Sequence, residues 1–304
     1  MSDEQLITNH SGRTGQRNGI ALGEGQIRRI FPVFVLAMWV TAGVWVAQGL
    51  WSSTATVLAV EALVVCLLVF VSFVLVFNVG YAVCGIVLNL TVLLAVGRPL
   101  GAVVVGGVLV VYGLRLLSFA LGRLRHPSFA GRRAGLAAAH ASLPMPIKVL
   151  LWLQTSTLFT FHAMTTYALA RGDVGLTPVV AAGAALMGLG LVVEAVADRQ
   201  KQAAKRTDPA RWVSTGLFAR TRHPNYAGEI TVQTGLVVCA VGASLATGAW
   251  GWAFVGLVLA PAYIVLLMLS ATTGAELATQ GRHGDDPDFQ AYAARSGALL
   301  PRRG

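Results

Sequence analysis

The stretch Thr221-Arg222-His223-Pro224-Asn225-Tyr226-Ala227-Gly228-Glu229 gathers cations, an amide, a phenol and a carboxylate immediately before an apolar run. Pro224 suits the first turn of a helix, where its missing N–H costs nothing, so a helix should start close to His223. A helix N-terminus offers free N–H groups and partial positive charge, which together hold phosphate. Arg220, Arg222 and His223 add cationic donors at the same point. Asn225, Glu229 and Gln233 then recur every four residues, giving one polar helix face that runs inward from the anion-ready end. Such a face suits a nucleotide whose reactive end points inward. Upstream, Glu194 and Asp198 lie one turn apart, and Lys201 and Lys205 continue their stripe. That stripe reads either as an ion-pair ladder or as the acidic and basic steps of the same site.

These residues are carried by elements of unusual composition. The chain has 304 residues, 55% hydrophobic and 12% charged, about half the charged share of a soluble domain. The apolar residues fall into eight blocks, roughly 30–51, 55–77, 79–97, 101–121, 148–170, 176–197, 225–246 and 250–272, each near the ~20 residues that cross a bilayer core. The sequence therefore predicts an all-α polytopic membrane protein with about eight transmembrane helices, the third block being the shortest.

Basic residues alternate between connections. Arg123, Arg125, Arg132 and Arg133 follow the fourth block, and Arg199, Lys201, Lys205, Arg206, Arg211, Arg220 and Arg222 follow the sixth, whereas Arg98 and Arg171 stand alone on the other side. This asymmetry predicts cytoplasmic termini. The net charge of +10 has no basic–aromatic stripe beside it, so nucleic acid is not expected as a partner. Residues 1–29 read as a disordered cytoplasmic tail without the order of a cleaved signal. Residues 30–121 form a first helical part, 122–147 an irregular or surface-lying cytoplasmic loop, and 148–304 the second part, whose tail carries a short amphipathic helix around Asp288–Ser296. Cys66, Cys84 and Cys239 are isolated within apolar blocks and suit small core positions, and no spacing suits a metal. Gly101, Gly106, Gly107, Gly188 and Gly190 suit close helix packing.

Further polar residues lie at membrane depth, where they are costly unless they face a cavity or a partner. Glu61 reads as an interhelix hydrogen bond or as an acid facing a cavity. Thr155, His162 and Thr166 share a face of the fifth helix, with Tyr81 of the third across from it. His162 reads as a structural histidine or as a proton donor.

The segment "GLFARTRHPNYAGE" closely resembles the "G-L-[WF]-x-x-[ST]-R-H-P-N-Y-x-G-E" motif of bacterial membrane proteins that share the steroid 5-alpha-reductase C-terminal domain, a family catalogued as of unknown function. "VVEAVADRQK" resembles the family's "E-x-x-A-D-x-Q", "FQAYAARSGALLP" its "Y-x-x-Y-x-x-x-[ST]-x-x-[FL]-x-P" ending, and Gln154 stands where glutamine is common. The resemblance covers about residues 100–303. It implies a multi-pass reductase of the bacterial inner (plasma) membrane that binds NADPH in its C-terminal half. Glu194, Asp198, Lys205, Arg222, His223, Asn225, Tyr226 and Glu229 would hold the cofactor, and Tyr292 would close the pocket.

Tyr112 and Arg115 resemble the Tyr-x-x-Arg of the eukaryotic reductases, which implies that Tyr112 meets a substrate carbonyl and Arg115 the cofactor. The acid that partners the tyrosine in those enzymes falls on Asn78, whose amide donates a hydrogen bond but cannot deliver a proton. The implied reaction is hydride transfer to a carbon–carbon double bond conjugated to a carbonyl, in a sterol-, prenyl- or enoyl-like substrate, with membrane lipids as surroundings and no obligate protein partner. One alternative is an isoprenylcysteine-type methyltransferase using S-adenosylmethionine, which shares an "R-H-P-x-Y" followed by acidic residues. Asn225, the Glu194/Asp198 pair and the Tyr112–Arg115 pair lean towards the reductase. A second alternative is a non-catalytic lipid-binding protein that kept the fold.

Overall fold

In hydrocarbon every backbone N–H and C=O must find its partner within the segment, so long apolar blocks become helices. The computed structural model describes residues 24–125 and 130–302, and all regular elements there except short turns and one isolated bridge are helices. They are α1 (Glu24–Ala47), α2 (Ser53–Val65), α3 (Leu68–Val71), α4 (Phe73–Leu75), α5 (Tyr81–Ala95), α6 (Leu100–Arg125), α7 (Ala130–Ala141), α8 (Met145–Arg171), α9 (Pro178–Thr207), α10 (Pro224–Thr247), α11 (Trp252–His283) and α12 (Pro287–Arg295). A π-helical turn, Val76–Gly80, joins α4 to α5. Among the described residues seven stretches are long and apolar enough to cross a membrane: Ile30–Ala47, Ser53–Val71, Phe73–Ala95, Leu100–Arg125, Pro178–Thr207, Pro224–Thr247 and Trp252–His283. The chain is an all-helical integral membrane protein.

The expected fifth block forms α8, 27 residues long but outside those seven. Hydroxyls, an amide and an imidazole make α8 more polar than its neighbours, and these groups are covered rather than exposed. Gln154, Thr155, Ser156, Thr160, His162, Thr165 and Thr166 are all buried along with Phe161, Met164 and Leu169. Several hydroxyls turn back to carbonyls of their own helix, as Thr155 does to Leu151 (2.8 Å) and Thr160 to Ser156 (2.8 Å). The central helix can afford polar residues because its neighbours shield it.

The boundary between the second and third blocks lies at Ser72, not near residue 78, since Ser72 is extended (φ −165°, ψ 127°) and both flanking turns are helical. Asn78 thus sits inside the third span, in the π turn. His140 of α7 covers the break: its Nδ1 accepts from the Phe73 N–H (3.4 Å) and its Nε2 lies 3.2 Å from the Phe70 carbonyl. Within the loop expected to be irregular or surface-lying, Ala130–Ala141 is helical, consistent with its alanine-rich sequence. Helix α1 starts at Glu24, inside the segment expected as tail; residues 1–23 lie outside the described part. Helix α12 confirms the expected short C-terminal helix, capped by Asp286, whose side chain accepts from the Asp288 N–H (2.8 Å).

The tightest packing joins α9 to α10. A Cβ on Gly228 would come within 2.8 Å of the Glu194 nitrogen, and one on Gly190 within 2.5 Å of the Gly228 carbonyl oxygen. Small residues therefore let the backbones under Glu194 and Glu229 touch. Gly101 and Gly106 also pack against neighbours, whereas Gly107 and Gly188 face open space. Cys66, Cys84 and Cys239 are free and buried, as expected for small core residues.

Candidate functional site

A cavity of about 860 Å³ opens among the π turn, the start of α5, α6, α8, α9, α10 and α11. That volume is within the ~300–1,000 Å³ range of small-molecule sites. Its lining divides into three parts. The last turns of α6 and α9 contribute Arg123, Arg199, Lys201, Lys205 and Arg206. Deeper lie Arg115, Glu194, Asp198, Asn225 and Glu229. An apolar wall is formed by Phe77, Leu116, Phe119, Leu158, Phe159, Ile264, Leu267 and Met268. One end of the cavity is thus cationic, its interior acidic and amide-lined, and one side apolar.

The polar interior is a continuous network. Arg115 donates from Nη1 to Glu194 Oε1 (2.6 Å) and from Nη2 to Asp198 Oδ2. The Tyr112 hydroxyl lies 3.0 Å from Glu194 Oε2 and hydrogen-bonds Glu229 Oε2. Glu229 Oε1 accepts from the Gln233 amide (2.7 Å) and from the Tyr81 hydroxyl (3.1 Å). Gln233 also donates to the Tyr81 oxygen (2.9 Å), and its carbonyl accepts from His162 Nε2 (3.1 Å). Three carboxylates thus converge around one guanidinium, two phenols and an amide. The Asn225 Oδ1 is buried and has no hydrogen-bond partner. A buried acceptor without a partner is costly and marks a place where a ligand donor would be satisfied.

Most of the residues singled out from sequence meet here. Asn78, Arg115, Glu194, Asp198, Lys205, Asn225, Tyr226 and Glu229 line the cavity. Tyr112 is buried behind it, 3% exposed, with its hydroxyl occupied by the two glutamates. Asn78 does not meet Tyr112. Its Nδ2 donates back to the Val74 carbonyl of α4 (2.8 Å), and its Oδ1 accepts from Arg123 (3.5 Å). The acid beside Tyr112 comes instead from α9 and α10. Lys205 reaches the carbonyls of Pro209 (2.9 Å) and Arg211 (2.6 Å), so it also fastens the connection after α9.

Arg222, His223 and Tyr292 are placed elsewhere. Arg222 donates from Nε and Nη2 to Glu276 (2.9 and 2.5 Å) and from Nη1 to the Ala293 carbonyl (3.1 Å) and the Ser296 carbonyl. His223 Nε2 lies 2.6 Å from Glu276 Oε1, and its ring stacks on Tyr226 at 5.4 Å. These donors are used to fasten the C-terminal tail, helped by the Arg222 N–H to Gly297 O bond (2.8 Å). The Tyr292 hydroxyl reaches the carbonyls of Phe218 (2.8 Å) and Val213 (3.1 Å), and burial pushes its pKa up to about 12. It pins the connection before α10 and does not line the cavity.

Glu276 escaped notice because it lies past the apolar part of α11 and its partners are more than fifty positions away. The expected start of α10 is observed: Pro224 is its first residue and His223 precedes it. Glu61 accepts from Thr91 (2.8 Å) across α2 and α5, matching the interhelix reading. His162 is buried against Gln233 and outside the cavity lining. Gln154 reaches only the Met38 sulfur (3.5 Å).

No curated protein and no solved structure matches the chain. The profile of one family, described as Protein of unknown function (DUF1295), matches residues 72–296. The match begins at the Ser72 break and takes in every helix that lines the cavity. Covering well over half the sequence, it shows that the chain belongs to that DUF1295 family.

Proposed function

We propose that this protein is an NADPH-dependent reductase of the bacterial inner membrane, with cytoplasmic termini, that saturates a conjugated carbon–carbon double bond in a lipophilic substrate. The observation that carries the reading is one cavity with a cationic end, a polar interior and an apolar wall. A dinucleotide phosphate needs cations, its riboses need acceptors and its carboxamide needs a polar partner. Arg123, Arg199, Lys201 and Arg206 suit the phosphates, Glu194 and Asp198 suit ribose hydroxyls, and the unpartnered Asn225 Oδ1 suits an amide or hydroxyl donor. The residues present therefore fit the cofactor. The chemistry the cofactor would supply when held by these residues is a hydride for the electron-poor carbon, and water would supply the proton that completes the saturated product.

The chain's own part is to hold and to polarise. Arg115 fixes Glu194 and Asp198, and Tyr112 bridges Glu194 to Glu229, so the acidic groups keep one geometry before any ligand arrives. Phe77, Phe159, Leu267 and Met268 exclude water from the apolar side, which strengthens every polar contact within. A phenol beside the substrate carbonyl stabilises the enolate as charge develops on oxygen.

The alternative methyltransferase reading keeps one specific support, because the sulfonium of S-adenosylmethionine would suit the three carboxylates. The five cations of the outer part favour a phosphate-bearing ligand over that cation. The test is a titration of the detergent-purified protein with NADPH and, separately, with S-adenosylmethionine. Enhanced or quenched NADPH fluorescence with no S-adenosylmethionine binding is expected. Binding of S-adenosylmethionine alone sinks the reductase reading, and binding of neither favours a lipid-binding protein.

A further inference from the structure

The chain carries two tyrosines in the polar network, and they differ in what a ligand can reach. Tyr112 has both neighbours of its hydroxyl occupied by glutamates and stands behind the cavity lining. Tyr81 lines the cavity, at the point where the apolar wall meets the polar interior. Its ring stacks on Phe159 (5.5 Å) and meets Tyr112 edge-on (6.1 Å). We propose that Tyr81 is the hydroxyl that meets the substrate carbonyl oxygen, and that Tyr112 is a positioning residue one contact behind it. The proposal rests on the reductase reading and deepens it.

Hydrogen-bond bookkeeping supports the assignment. The Tyr81 oxygen accepts from Gln233, whose orientation is set by His162 on the other side of its amide. With that acceptor position filled, the phenolic hydrogen is the group left to point elsewhere, and in the ligand-free protein it points at Glu229. Turning it towards a carbonyl oxygen costs little, because Glu229 keeps the Gln233 amide on Oε1 and Tyr112 on Oε2. Tyr112 has no comparable freedom, since its single hydrogen lies between two carboxylates. During the reaction a C–H bond of the hydride donor would break as one forms at the carbon β to the carbonyl, the alkene pair would shift to join the α-carbon to the carbonyl carbon, and the carbonyl π pair would move onto the oxygen. The Tyr81 hydroxyl donates a hydrogen bond to that oxygen without giving up its proton. Water then supplies the proton for the α-carbon and the carbonyl is restored. The β-carbon is reduced and the hydride donor oxidised, so the step balances.

The experiment compares the wild type with Tyr81→Phe and Tyr112→Phe. Three readouts are taken: NADPH fluorescence, NADPH oxidation with progesterone and with citral as conjugated probes, and tyrosine nitration by tetranitromethane mapped by mass spectrometry. Tyr81→Phe should bind NADPH as the wild type does while kcat falls on the order of 100-fold. Tyr112→Phe should weaken NADPH binding through the displaced glutamates, with a smaller fall in kcat. Nitration should reach Tyr81 ahead of Tyr112, and a saturating conjugated probe should protect Tyr81. Full turnover by Tyr81→Phe, or a Tyr112→Phe that loses turnover at unchanged NADPH affinity, overturns the assignment. A wild type that oxidises NADPH with neither probe counts against the reductase reading instead. The nitration order then decides Tyr81 by itself, and equal modification of the two tyrosines overturns it.

Discussion

Two charged clusters lie on either side of Pro224, and they are built to opposite plans. The Glu276 cluster has one carboxylate meeting two side chains, the Arg222 guanidinium and the His223 imidazole, with the remaining guanidinium donors taken by tail carbonyls. The Glu229 cluster has three carboxylates around one guanidinium and opens into a cavity. A cluster whose donors and acceptors match is finished within the chain, and its role is to hold the tail against the start of α10. A cluster with three carboxylates around one guanidinium, and an unpartnered Asn225 Oδ1 beside it, leaves an acceptor that the chain itself does not satisfy. The "RHPNYAGE" segment supplies both, with its first two residues given to the closed cluster and Asn225 and Glu229 to the open one.

The largest expected effect separates the clusters by binding. Glu229→Ala should lower NADPH affinity roughly 100-fold, about 2.7 kcal/mol, measured by fluorescence titration, while the thermal midpoint in detergent changes little. Unchanged affinity would remove Glu229 from the site. The converse substitution, Glu276→Ala, leaves the Arg222 guanidinium and the His223 imidazole without their shared acceptor and should cost about 3 kcal/mol of stability. Its thermal midpoint should drop while NADPH affinity stays within about twofold. If affinity instead falls in step with stability, the two clusters are not independent. Gly228→Ala bridges them through packing: the new Cβ would meet the Glu194 backbone at 2.8 Å, at a cost of about 1–3 kcal/mol. Both the thermal midpoint and the NADPH affinity should fall, since the contact lies under both glutamates.

The smallest effect belongs to the tail. Tyr292→Phe should cost about 1 kcal/mol at neutral pH, with nucleotide affinity unchanged. Its tyrosine is held neutral by burial, with its pKa raised from 10.0 to about 12. That contribution is present below pH 10 and is lost as pH rises towards 12. The stability difference between wild type and Tyr292→Phe should therefore narrow across that window, and a constant difference would refute the burial account.

Much of this was legible in one dimension. Long apolar blocks fixed where helices run, because a bilayer leaves the backbone no other partner. Pro224 marked the start of α10, because first-turn chemistry acts within a few residues. The Ser72 break was hidden, since neither glycine nor proline marks it and the groups that cover it come from His140, 67 and 70 positions away. The fate of Arg222 and His223 was hidden too: a cation at a helix start suits phosphate and carboxylate alike.

The sequence by itself determined an all-helical membrane chain, a basic set of connections and a polar face on α10 that begins at Pro224. Only the tertiary structure decided which donors are already used. Tyr112 meets Glu229 across 117 positions and Arg222 meets Glu276 across 54. Spacing along one helix reports which residues share a face, whereas hydrogen-bond satisfaction depends on what another helix brings to that face. For that reason Tyr81 and Asn225 emerge as groups that line the cavity, and Arg222, His223 and Tyr292 as groups that hold the chain together.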